Sequence, residues 1–283
     1  MDIQLFRQNQ GRFMDTLPPA PEPFHDIHCH LVPGIDDGSP SWEVTLAMAR
    51  MAVADGFQTI ICTPHQLGNF SCNTGDMIRE RVAAVQERLN QEGIPLRVRA
   101  GGDVRIEEDL IGKIRRREVL TLADAGKYVL LELPHEVYIP LDPLIQQLQS
   151  AGMIGILSHP ERNAGIMANP RVTIPLVEQG CLMQVTAGSL TGRFGNPSRE
   201  VSEWMLKEGL VHFLATDAHG LKSRRPTMRR AFHRAAEIVG HQGAVQLCCR
   251  NPQAVVDTRR VEDVIPAPPA RSFWSLFGWS RAS

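Results

Sequence analysis

The 283 residues predict an α/β fold, a (β/α)-type barrel of about seven units around one core. Three observations point there. Short apolar runs alternate with amphipathic stretches of helical period, the rhythm of parallel strands joined by helices. Most of the apolar runs end in a polar loop that carries histidine or acid. The chain is 43% hydrophobic, and at this length that supplies one large core.

The elements follow in order. Residues 1–23 read as an N-terminal extension and linker, ending in the proline-stiffened TLPPAPEP. The first strand is expected at Phe24–His28. A helix follows over Trp42–Asp55, where Val44, Ala47, Met48, Met51 and Ala52 recur at helical spacing. Gly56 stands just past its end, where glycine is favoured. The remaining strands are expected at Gln58–Cys62, Leu96–Gly101, Lys127–Glu132, Gly152–Ser158, Cys181–Val185 and Val211–Thr216. The remaining helices are expected at Asp76–Gln91, Glu107–Arg116, Leu141–Ala151, Pro170–Gln179, Pro197–Glu208 and Thr227–Val239. One domain therefore spans 24–259. Residues 260–283 form a C-terminal appendix crowded with Phe273, Trp274, Leu276, Phe277 and Trp279. These aromatics read as docking on the barrel or on a neighbouring subunit, in preference to a membrane or kinase contact, because the segment is short for an anchor.

Composition removes several classes. The formal net charge is -1, so charge gives no reason to expect nucleic-acid or membrane binding. No apolar run approaches the ~18 residues of a membrane span, and the N-terminus lacks the apolar region of a signal peptide. The six cysteines are scattered and form no CxxC pair. That pattern fits a reducing, cytoplasmic setting.

The chemistry gathers at the ends of the predicted strands. They are followed by His28-Cys29-His30 with Asp36-Asp37-Gly38, by Thr63-Pro64-His65, by Gly102-Asp103, by Glu132, by His159-Pro160-Glu161-Arg162 and by Asp217-Ala218-His219. In a parallel barrel all strand C-termini open on one face, so residues nearly two hundred positions apart converge. Imidazole and carboxylate suit Mn, Fe, Zn or Mg. Each fragment is ordinary alone: His-x-His is a weak signal, Asp-Asp-Gly is a common turn, and Asp217 could cap a helix. Their joint placement is what points to metal. His25, His212, His233 and His241 fall within strands or helices, and His135 lacks a matching partner, so these five are not assigned to the site.

The set HDIHCHLVPGIDDG, ICTPH, GGDVR, LLELP, SHPER and ATDAH resembles the PHP (polymerase and histidinol phosphatase) superfamily. It is most similar to the bacterial manganese-dependent protein-tyrosine phosphatases that act beside the tyrosine kinases of capsular and extracellular polysaccharide synthesis. The resemblance runs from about Asp26 to Asp257. It implies a distorted (β/α)7 TIM-like barrel of the PHP type with three divalent ions, manganese first and iron, zinc or magnesium as alternatives. By position, the first ion would take His28, His30, Asp103 and Asp217. The second would share Asp103 and add Glu132 and His159. The third would take Asp37, His65 and His219. Arg162 and Arg224 fall at the phosphate-binding arginines, and Arg225 competes for the second role because the run SRRP is ambiguous by one residue. The bridging position is usually glutamate in that family and is Asp103 here, one methylene shorter; Glu107 is a weaker candidate on the following helix.

The expected reaction is hydrolysis of a phosphate monoester, with metal-activated water as nucleophile and the arginines on the phosphoryl oxygens. The substrate expected is a phosphotyrosine protein, a bacterial tyrosine kinase tail in particular. A histidinol-phosphate phosphatase and a non-catalytic metal-stabilised scaffold are the alternatives. Cysteine-based phosphatase chemistry is rejected, since no glycine-rich phosphate loop with a closing arginine surrounds any cysteine. An amidohydrolase is disfavoured, since none of the four lysines ends a predicted strand.

Overall fold

A computed structural model describes residues 17–19 and 21–264. The aromatic appendix (Phe273, Trp274, Leu276, Phe277 and Trp279) and most of the 1–23 extension lie outside the described residues. Glu22, at the end of that extension, pairs with Arg250 at 2.6 Å.

The strands are β1 (Phe24–Cys29), β2 (Phe57–Cys62), β3 (His65–Gln66), β4 (Arg97–Ala100), β5 (Asp103–Arg105), β6 (Tyr128–Glu132), β7 (Ile154–Ser158), β8 (Leu182–Thr186) and β9 (Phe213–Ala215). They form two sheets, β1-β2-β4 and β3-β5-β6-β7-β8-β9, and the pairings are parallel. All seven predicted strands are present. Two of them are interrupted: β3 resumes the line of β2 after Thr63-Pro64, and β5 that of β4 after Gly101-Gly102. Proline breaks a ladder because it has no N–H; here the Pro64 carbonyl still accepts from the Asp103 N–H at 3.1 Å. His65 and Asp103, expected on loops, therefore sit on the two short strands, paired with each other.

The last stave meets the first through single contacts. Cys29 bridges Ala218, Asp217 N–H donates to the His28 carbonyl at 2.8 Å, and His30 N–H donates to the Ala218 carbonyl at 2.9 Å. Beneath them the Asp26 carboxylate accepts from the Thr216 N–H and hydroxyl and from the His28 N–H. A buried aspartate so bonded ties the first strand to the end of the last.

Ile27, Ile61, Leu130, Ile156 and Phe213 come from β1, β2, β6, β7 and β9 and form one apolar cluster with Leu122 and Tyr128. The larger cluster lies under the helices. Strands covered on both faces read as continuous apolar runs, which is why they were visible in the sequence. The principal helices are α1 (Trp42–Asp55), α2 (Gly75–Gln91), α3 (Leu110–Arg115), α4 (Asp142–Ser150), α5 (Ala164–Ala168), α6 (Thr173–Glu178), α7 (Ala187–Leu190), α8 (Asn196–Lys207), α9 (Arg229–Val245) and α10 (Asn251–Val256). In α1, Ser41 caps the start, and Gly56 ends it at φ 107° with its N–H on the Ala52 and Val53 carbonyls. Its Leu46, Met48, Ala49 and Ala52 are buried; each large apolar side chain so buried contributes about 1.5–3 kcal/mol.

Some boundaries differ from expectation. α3 begins at Leu110, so Glu107 precedes it. The expected helix at Pro170–Gln179 divides into a 3-10 turn over Pro170–Val172 and α6. α9 continues to Val245 through Gly240, whose φ of 78° interrupts the helical geometry. α5, α7 and α10 were not foreseen; the first two are short and carry little periodicity.

Candidate metal centre

Alternation along β1 sends His28 and His30 to the same side and Cys29 to the other. Their Nε2 atoms face one another at 3.3 Å. The other ring nitrogens are held from behind: His28 Nδ1 lies 2.8 Å from Gln184 Oε1, and His30 Nδ1 lies 2.7 Å from Asp36 Oδ2. Such partners fix ring orientation and tautomer, leaving Nε2 for a ligand. Asp36 also accepts from the Gly38 N–H at 2.9 Å and the His65 N–H at 3.2 Å. The Asp-Asp-Gly turn is thereby laid against His30. A Cβ on Gly38 would stand 2.4 Å from the His30 Cβ, so only glycine fits this approach.

β7 and β9 deliver the next residues. His159 (φ 32°), directly after β7, and Asp217 (φ 50°), two residues past β9, both adopt left-handed backbone, a conformation unusual for residues with a side chain. Asp217 Oδ1 lies 3.2 Å from His28 Nε2 and 3.5 Å from His30 Nε2. Asp217 Oδ2 receives Arg162 and, at 2.5 Å, Arg224. One carboxylate thus joins the imidazole cluster to the two arginines. Arg225 turns elsewhere, its Nε donating to the Lys222 carbonyl at 2.9 Å.

The third part centres on Asp103, whose Oδ2 is 3.4 Å from both His28 Nε2 and His65 Nδ1 and 3.9 Å from His159 Nε2. Glu132, from the end of β6, approaches His65 Nδ1 at 3.5 Å. Asp37 approaches His65 at 3.4 Å and His219 at 3.3 Å. Glu107 is outside this centre: it accepts from the Gly68 N–H and pairs with Lys113.

All nine sequence-predicted ligands meet in four overlapping groups: His30-Asp37-His65-His219, His28-His30-Asp103, His28-His159-Asp217 and His65-Asp103-Glu132. The grouping differs from the sets implied by resemblance: His159 joins His28 and Asp217, His65 also joins Asp103 and Glu132, and His30 also joins Asp37, His65 and His219. Both oxygens of Asp103, Asp217 Oδ1 and His219 Nε2 are buried and make no aligned hydrogen bond, although imidazoles stand 3.4 Å from Asp103 Oδ2 and 3.2 Å from Asp217 Oδ1, and Asp37 stands 3.3 Å from His219. Orphaned buried carboxylate oxygens are costly unless something compensates them, and divalent cations fit that need and this donor set.

The charges agree. Burial opposes a proton on His28, yet the Asp217 and Asp103 carboxylates overcome it and hold His28 up at about 9. Burial, reinforced by His219, brings His30 down to about 4 against the pull of Asp36. Asp103 and Asp217 are buried, which favours their neutral form, but the histidines around them hold both well below the ordinary carboxylate range. The cysteines behave oppositely. Burial pushes the Cys29 thiol well above its usual value, so it is no nucleophile.

Sequence reasoning missed the orienting residues Asp36 and Gln184. It also set aside His135, whose ring stacks 5.7 Å from that of His159. Phe70 stacks on His65 at 5.1 Å. Leu67, Phe70, Arg105, Glu132 and His135 line a cleft of about 250 Å³ beside the centre.

A parallel α/β domain with this His/Asp rim and two arginines carries the donor set that a metal-dependent hydrolase needs. Over residues 24–257 the chain matches the family described as "Capsular polysaccharide synthesis, CpsB/CapC", and it belongs to that family. It is 35% identical to tyrosine-protein phosphatase YwqE of Bacillus subtilis (strain 168), across 90% of this chain and 99% of the relative. It is 29% identical to the putative tyrosine-protein phosphatase CapC of Staphylococcus aureus, across 85% and 94% of the two chains. It is 27% identical to tyrosine-protein phosphatase CpsB of Streptococcus pneumoniae, across 82% and 97%. A solved chain from the pair YwqE of Bacillus subtilis and CpsB of Streptococcus pneumoniae, described as unique metal-dependent tyrosine phosphatases, superposes with a TM-score of 0.81. That match has 34% identity and covers 87% of this chain and 100% of the other. A Xaa-Pro dipeptidase shares the fold alone, with a TM-score of 0.51 and 11% identity over 87% of this chain and 78% of that one.

Proposed function

We propose that this chain is a metal-dependent protein-tyrosine phosphatase acting on phosphotyrosine of a bacterial tyrosine kinase tail or a related protein in polysaccharide synthesis. The observation that carries this reading is the meeting of nine metal-ligating side chains and two arginines at one rim, in a chain whose relatives are named tyrosine-protein phosphatases. His28, His30, Asp37, His65, Asp103, Glu132, His159, Asp217 and His219 would hold the ions, three with manganese foremost. Bound there, divalent ions would neutralise the phosphate dianion and lower the pKa of an attacking water towards ~7.

The chain's own groups supply the rest. Arg162 and Arg224 hold the non-bridging oxygens of the transferring phosphoryl group, exchanging Asp217 Oδ2 for phosphate. Arg224 takes this role in preference to Arg225, whose guanidinium is turned to the Lys222 carbonyl. Asp36 and Gln184 keep His30 and His28 aimed inward. The cleft walled by Phe70 and Leu67 gives an aryl group an apolar surface beside the scissile bond. A phenolate leaving group, with a pKa near ~10, departs with less protonation than an alkoxide requires. A cytoplasmic site of action fits the cysteines, all six of which are free thiols.

Assay on a phosphotyrosine peptide and on histidinol phosphate, side by side with manganese, tests the assignment. Higher kcat/KM on the peptide is expected. Preference for histidinol phosphate would keep the metals and overturn the substrate.

A further inference from the structure

Beside the centre, Arg193, Arg224, Arg225 and Arg230 line one groove with Phe194 as an apolar wall. Arg224 belongs to both sites, since it also reaches Asp217. Arg162 connects them from the other side, its guanidinium lying 4.4 Å above the Phe194 ring. Elsewhere on the surface some arginines pair with acids, as in Arg50–Glu92, Arg116–Glu118 and Arg234–Glu203. In the groove Arg224 does so, through Asp217, and the other three stand together without one. Among the described residues, no carboxylate lies within ion-pair distance of Arg193, Arg225 or Arg230. Burial and the neighbouring charges of Arg225 and Arg230 make it harder for Arg193 to stay protonated. In a chain with net charge -1, such a concentration of unpaired positive charge is local.

We propose that this groove is an anion subsite that takes a second negatively charged group of the substrate peptide, a carboxylate or a further phosphate close to the scissile phosphotyrosine. The inference rests on the phosphatase reading and deepens it. Planar guanidiniums pair bidentately with both anions, and a groove sharing Arg224 with the phosphate site suits two anions borne on one short segment. Mutual repulsion of the arginines is relieved when an anion enters, so selectivity arises from charge rather than from a side-chain pocket.

The test uses the full-length, manganese-loaded protein and the double variant Arg193→Gln/Arg230→Gln, neither residue being part of the phosphate site. Substrates are p-nitrophenyl phosphate and three phosphotyrosine peptides: neutral-flanked, glutamate-flanked and doubly phosphorylated. The wild type should prefer the anionic peptides. In the variant their kcat/KM should fall by about tenfold, the order expected for lost charge-assisted contacts, largely through KM. Activity on p-nitrophenyl phosphate and the neutral peptide should hold. Loss confined to one anionic peptide would identify which anion the groove takes. No wild-type preference, or equal loss on every substrate, would overturn the proposal. As a second measurement, the wild-type preference seen at about 0.1 M salt should vanish near about 1 M; persistence would also overturn it. Anisotropy of labelled peptides reads the groove without turnover, so a protein that hydrolyses no peptide sinks the phosphatase reading separately.

Discussion

Asp36 illustrates how much of a metal centre lies behind its ligands. Its Oδ2 is 2.7 Å from His30 Nδ1, and its Oδ1 accepts from the Gly38 N–H. Replacing it by Asn keeps the shape and removes the charge that favours a donating Nδ1. Asp36→Asn is expected to weaken divalent-metal affinity by about 10–100-fold while leaving the melting temperature of the chelated protein near that of the parent, measured by metal titration and by calorimetry. Unchanged affinity would deny Asp36 its orienting role. The residue was hidden in the sequence because Asp-Asp-Gly reads as a turn, and it is one. The histidines were legible because five of them stand at strand ends, a placement that scattered surface histidines do not share. The partition of ligands was not legible: whether His65 or His159 accompanies Glu132 depends on ring positions across the rim, which spacing along the chain does not encode. Asp103 is a related case. One methylene shorter than the glutamate usual at this position, it still reaches His28 and His65, because it sits on β5 at the rim rather than on a loop behind it.

The strands explain both what the sequence revealed and what it concealed. Doubly covered strands announce themselves as apolar runs, and all seven did. The breaks after β2 and β4 did not, because two- and three-residue strands have no period to detect, and their pairing of His65 with Asp103 depends on neighbours distant in the chain. A buried histidine outside the metal centre makes the β8–β9 junction pH-sensitive. His212 precedes β9, and its Nδ1 accepts the Met183 N–H at 3.1 Å, which requires the neutral ring. Burial lowers its pKa below the ordinary 6.5, and Asp263 only partly offsets this. The folded state therefore binds fewer protons than the unfolded chain. The resulting stability is fully present above about 6.5 and is lost as pH falls through and below it. Melting temperature should drop between about pH 7.5 and 5.5, and His212→Gln, less stable at the higher pH, should lose less on acidification. Parallel slopes for the two proteins would remove His212 as a cause.

The domain as a whole gathers ligands from β1 through the loop after β9, so the centre exists only when the last stave is tied back to the first. The Asp26–Thr216 contact and the Cys29–Ala218 bridge make that tie directly beneath His28 and Asp217. Fold class and rim were readable because alternating strands and helices leave one face for chemistry. The substrate class rests on family membership and on the cleft and arginines beside the candidate metal centre. Activity of this chain should therefore depend on divalent metal and on the histidines, with no part for a thiol. The most direct measurement is hydrolysis of a phosphotyrosine peptide by protein stripped with chelator and then titrated with manganese, with His159→Ala and Cys29→Ser carried through beside it. On a metal-dependent mechanism, silence after stripping, recovery with manganese, no recovery in His159→Ala and recovery in Cys29→Ser are expected. Full activity in the stripped protein, or loss in Cys29→Ser with its fold and metal content intact, would contradict it.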